Sequence, residues 1–64
     1  MKLRTIWLVQ AETEHGLEAY YVGTDTQEDA MIMAAERGYD GDSVTAKEIP
    51  NKFGIQLGDW RSAI

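Results

Sequence analysis

The stretch from Thr26 to Gly38 writes out one complete helix with both ends marked. The Thr26 hydroxyl can accept the backbone N–H of the third helical residue, Asp29, which can itself reach back as in a shortened capping box. Glu28 and Asp29 place negative charge where the helix dipole is positive. Ala30, Met33 and Ala34 recur at helical spacing, and Gly38 supplies the left-handed exit. A single helix this short cannot bury itself and is marginal alone in water. The rest of the chain must give it a sheet.

The flanking residues read as strands. Leu3 to Ala11 is rich in β-formers (Thr5, Ile6, Trp7, Leu8, Val9) and apolar on both faces, the mark of a central strand. Glu12 to Gly16 is a polar turn, and Leu17 to Gly23 is a second strand carrying Tyr20, Tyr21 and Val22. After the helix, Tyr39 to Ser43 is a tight loop and Val44 to Ile49 a third strand, stopped by Pro50. The order β-β-α-β predicts an α+β fold: a three-stranded antiparallel sheet of order 2-1-3 with the helix across one face. Residues 1–50 form the core of a single domain and 51–64 an extension. Phe53, Ile55 and Leu57 alternate in it, and Trp60 and Ile64 follow. The extension is either a fourth strand hairpinned to the third, a segment that orders on a partner, or a tail packed over the open sheet face. The tail is favoured, because fully burying one large aromatic contributes about 2–3 kcal/mol.

Size makes that contribution matter. A chain of 64 residues buries only roughly 60% of its unfolded surface. With no cysteine it has neither a disulfide nor a cysteine-based zinc site to compensate. No stretch approaches the roughly 20 apolar residues of a membrane span, and the apolar run after Arg4 is too short for a signal peptide, so a cytoplasmic protein is expected. The net charge of −5 disfavours nucleic-acid partners, whose phosphates call for basic surfaces. It suits solubility, or a protein with a basic surface.

No constellation of residues announces catalysis. His15 is the only histidine and sits in a predicted turn with no nucleophile or pocket implied. Asp40, Asp42 and Ser43 resemble the start of a calcium loop, but Val44 and Thr45 stand where the pattern needs an oxygen ligand and glycine. Backbone tolerance in a helix-to-strand turn accounts for Asp40, Gly41 and Asp42. The glycines form no phosphate loop. The chain is therefore expected to be no enzyme, and to need no metal and no cofactor. Binding features are more visible. Ile32, beside Met31 and Ala35, is expected to be partly exposed if Met33 points inward. Tyr20 and Tyr21 fall on opposite sheet faces, and Tyr20 is the one expected outside, where an aromatic can anchor a partner.

Ile6-Trp7, then Glu14-His15 with Glu18, the helix signature Thr26-Gln27-Glu28-Asp29-Ala30 with Ala34, and Val44-Thr45 with Pro50 together resemble a family. It comprises small phage proteins that inhibit bacterial RNA polymerase by binding the jaw region of its largest subunit. The resemblance covers Ile6 to Pro50, with one residue inserted before the helix and one removed after it. It implies a β-β-α-β fold and a protein partner. The family's strand-three arginines are replaced by Ala46 and Glu48, leaving Lys47 between them. The expected contact set is Glu12, Glu14, His15, Glu18, Tyr20 and Lys47, docking on a basic surface. The alternatives are a homodimeric structural or regulatory module, an anti-CRISPR-type inhibitor, and single-stranded nucleic-acid binding by Trp7, Tyr20 and Tyr21, which the charge opposes.

Overall fold

The computed structural model describes residues 3–64. In chain order it contains β1 (Thr5–Thr13), β2 (Gly16–Val22), α1 (Gln27–Glu36), a 3₁₀ turn (Gly41–Ser43), β3 (Val44–Pro50) and β4 (Trp60–Ser62). The four strands form one antiparallel sheet of order β3-β1-β2-β4. The expected 2-1-3 arrangement is present, with β1 between β2 and β3. β1 starts later and runs further than its composition suggests, because Glu12 and Thr13 stay in the ladder opposite Leu17 and Gly16. The turn shrinks to Glu14 and His15. Neither adopts a positive φ, so Gly16, at φ 111°, completes the reversal.

The helix forms as its caps dictate. Thr26 Oγ1 accepts from the Asp29 N–H at 3.1 Å, so the Thr26 half of the capping box is in place. At the other end Gly38 N–H donates to Ala35 O (3.0 Å) and Tyr39 N–H to Ala34 O (3.2 Å). That double bond pattern around a left-handed glycine closes the last turn and aims Tyr39 back toward the sheet. Ala30 and Ala34 are the fully buried helix residues, and both are small enough to bring the helix axis close to the strands. Met31 and Met33 are half-buried against the same cluster, and Ile32 is 49% exposed.

Strand alternation sorts the rest. Trp7, Val9 and Ala11 pair with Val22, Tyr20 and Glu18 on one side and with Glu48, Ala46 and Val44 on the other. These residues share the helix-side face, where Val9, Ala11, Val22 and Val44 make the core with Ala30 and Ala34. The helix lies diagonally: Gln27 Nε2 bonds Ala46 O on β3 (2.9 Å), while Arg37 at the other end lies 4.3 Å from the Trp60 ring on β4.

The extension keeps the favoured packed tail and adds a strand on an edge that was not expected. Its fourth strand pairs with β2, on the edge opposite β3, rather than hairpinning onto β3. Residues 51–59 cross the end of the sheet first and, as expected of a packed tail, cover part of its far face. The Asn51 side chain ties this crossing together: Nδ2 donates to Leu3 O and Ile55 O (both 2.7 Å), and Oδ1 accepts from Ile55 N–H (3.1 Å). Ile55 and Ile6 are both at most 1% exposed yet lie outside the helix-side core. Phe53 stacks on Tyr21 with centroids 4.1 Å apart. Ile55 is buried in this crossing, while Phe53 keeps one side exposed and stacks its other on Tyr21. The crossing requires Gly23: a Cβ there would stand 1.9 Å from Gln56 O.

Candidate functional site

The hairpin end and the loop before β3 meet because Ala11 pairs with Val44, the first residue of β3. Asp40 Oδ1 accepts from Asp42 N–H (3.0 Å) and holds the 3₁₀ turn at that end. A shallow depression of about 320 Å³ results, lined by Gln10, Glu12, Leu17, Asp42, Ser43 and Thr45. Leu17, directly opposite Glu12, is 55% exposed. Glu14 and His15 form the exposed tip beside it. Thr13 fixes the tip, its hydroxyl accepting from His15 N–H (3.1 Å) and donating to Gly16 O (3.0 Å). The sole ion pair among the described residues is Arg61–Asp59 (3.3 Å), on β4 and the turn before it, so Glu12, Glu14 and Asp42 present uncompensated negative charge around an exposed leucine.

Two residues expected in the contact set are turned elsewhere. Glu18 belongs to the helix-side face. Its Oε1 accepts from both the Tyr20 and the Tyr39 hydroxyls (2.6 Å each), and its Oε2 lies 3.3 Å from Thr13 Oγ1. The Tyr20 bond first, and then that of Tyr39, hold the Glu18 carboxyl below the ordinary glutamate range. Reciprocally, the bond to Glu18, reinforced by Tyr20, pushes the Tyr39 phenol far above its usual value. Tyr20 likewise points to the helix side rather than outward. It stacks on Trp60 (4.8 Å, 30°) with Tyr39 6.0 Å away. Register explains the correction: Tyr20 pairs with Val9, a core residue, so Tyr21 takes the far face, where Phe53 covers it.

Lys47 is exposed but distant from the hairpin end. It shares a far-face row with Leu8, Tyr21 and Arg61 across the four strands. The structure thus gathers Glu12, Glu14 and His15, adds Leu17 and Asp42, and leaves out Glu18, Tyr20 and Lys47. The signal for Asp42 was the short helix-to-strand loop, which returns the chain to the end where the hairpin lies.

Among the described residues no group of three or more histidine or carboxylate side chains is placed to hold a metal ion, and no helix is long and apolar enough to cross a membrane. No protein-family model, curated protein or solved structure shows significant similarity to this chain.

Proposed function

We propose that this chain is a small inhibitor-type protein, phage-encoded and at work in the host cytoplasm, that acts by binding another protein rather than by catalysis. The observation that carries the reading is the hairpin end: Leu17, more than half exposed, among the unpaired carboxylates Glu12, Glu14 and Asp42. An apolar anchor in a charged rim is how transient interfaces combine affinity with orientation. The rim's sign selects a basic partner surface and speeds encounter with it. Among basic bacterial machinery, RNA polymerase is the named target. Its support is the family resemblance, including Glu14-His15, which here occupies the hairpin tip.

The test has two arms. The immobilised chain is used to capture partners from bacterial lysate, alongside a variant carrying Glu12→Lys, Glu14→Lys and Leu17→Ser. The same pair is added to purified RNA polymerase in a transcription assay. The reading expects the wild-type chain to retain a polymerase subunit and depress transcription, and the variant to do neither. Equal behaviour of the two chains would remove the hairpin end from the mechanism. No effect on transcription would remove the polymerase.

A further inference from the structure

The outer edge of β3 turns backbone groups away from the sheet, as the register shows. Between β2 and β4, Gly23 N–H donates to Asp59 O (3.0 Å) and Ala63 N–H to Ala19 O (2.8 Å), so the odd-numbered residues of β2 face β4. In an antiparallel ladder the alternate residues face the other neighbour. Tyr20 and Val22 therefore face β1, their partners Val9 and Trp7 face β2, and Leu8 and Gln10 face β3. Carried one strand further, this turns Thr45, Lys47 and Ile49 inward and Val44, Ala46 and Glu48 outward. Two independent features agree. Ala46 O is available to Gln27 Nε2, and Pro50, which has no N–H, falls at an outward position where none is needed.

The outward groups are only partly occupied. Val44 N–H bonds Gly41 O, and Ala46 O is held by Gln27. Left for a partner are Val44 C=O, Ala46 N–H and both groups of Glu48. Beside them runs a groove of about 500 Å³, lined by Gln27, Glu28, Met31, Val44, Thr45 and Ala46. It sets apolar side chains next to an unpaired ladder, which is what an added strand requires. Gln27 fills one acceptor of this edge and partly shields it.

We propose that this edge accepts an extended segment of a partner protein as a fifth strand, with lysine or arginine on the side that faces α1. Charge chooses the occupant. Glu28 lines the groove and Glu48 shares the helix-side face, whereas Lys47 lies on the other face. A basic residue opposite Glu48 gains a cross-strand pair, and neutral residues suit the positions next to Lys47. A second copy of this chain would bring its own Glu28 and Glu48 to the same edge, where like charges oppose pairing. The proposal rests on the chain being a protein-binding module, but not on the hairpin end.

The test titrates the labelled chain with a blocked peptide alternating lysine and valine, read by the amide resonances of Ala46 and Glu48. Saturable shifts and slowed hydrogen exchange at these two amides are expected. A peptide with glutamate in place of lysine binds about tenfold more weakly or not at all. Glu48→Pro removes an outward N–H that β1 does not use and abolishes binding, while Glu48→Gln weakens it only several-fold. Gln27→Ala removes the competing donor and tightens it. Should Glu48→Pro fail to fold, Gln27→Ala and the charge-reversed peptide decide the matter. Silence at Ala46 and Glu48, indifference to peptide charge, or dimerisation of the chain through these amides without peptide would overturn the proposal. Unchanged peptide binding by the hairpin-end variant separates this result from the fate of the lysate experiment.

Discussion

Glu18 illustrates how a residue can be assigned the right character and the wrong employer. As an acid near a hairpin turn it reads as surface charge, yet two tyrosine hydroxyls and a threonine hydroxyl converge on its carboxylate. The consequence is a pH dependence with a defined sign. A carboxyl whose folded pKa is lowered contributes stability that is present above the ordinary value of 4.5 and is lost as pH falls through the folded value. Tyr39, raised from 10.0, contributes stability that is present below that value and is lost as pH rises toward its folded pKa. Denaturant midpoints followed against pH are expected to fall at both ends, with Glu18→Gln flattening the acid limb and Tyr39→Phe the alkaline one. Gly23 gives a second prediction at this scale. Gly23→Ala drives a methyl into Gln56 O and is expected to cost on the order of 2–3 kcal/mol in urea unfolding. Gly41→Ala meets nothing within 4 Å and is expected to stay within about 0.5 kcal/mol.

At the scale of elements, the parts whose signals are local were legible. The α1 caps are formed where Thr26 and Gly38 announce them, and the central place of β1 follows from its two apolar faces. What escaped was long-range. Alternation put Tyr20 and Tyr21 on opposite faces but could not say which face α1 would cover, because that depends on Val9 and Ala11 offering the small surface that Ala30 and Ala34 approach. The extension was legible as a packed tail but not in the position of its strand. Phe53, Ile55 and Leu57 alternate like a strand, yet they lie in the crossing, and the paired residues are Trp60 to Ser62. Ile55 has its own buried site and Leu57 has none, so the two should respond differently to truncation. Ile55→Ala is expected to cost about 2–4 kcal/mol. Leu57, 59% exposed, is expected to lose no more than about 0.5 kcal/mol on the same change. Equal losses would mean that the crossing does not pack as a second small core.

For the whole molecule, the net charge of −5 conceals an uneven distribution. Asp25, Glu28, Asp29 and Glu36 belong to the helix layer, Asp40 and Asp42 to the loop after it, and Glu12 and Glu14 to the hairpin. Lys47 and Arg61 stand in one row of the opposite face. Such a distribution orients the chain before contact, because a basic surface attracts the hairpin end and helix layer more strongly than the row of Lys47 and Arg61. Rim charges act chiefly on the rate of association, whereas the buried anchor acts on dissociation. The combined variant Glu12→Gln, Glu14→Gln, Asp42→Asn is therefore expected to slow association with a basic partner by about tenfold at low salt. Its dissociation rate and melting temperature should change little, and its difference from wild type should shrink as added salt screens both. Leu17→Ser should show the converse, faster dissociation with little salt dependence. Stopped-flow association measured across ionic strength separates the two, and a salt-independent loss for the charge variant would mean that the carboxylates make buried contacts rather than steer.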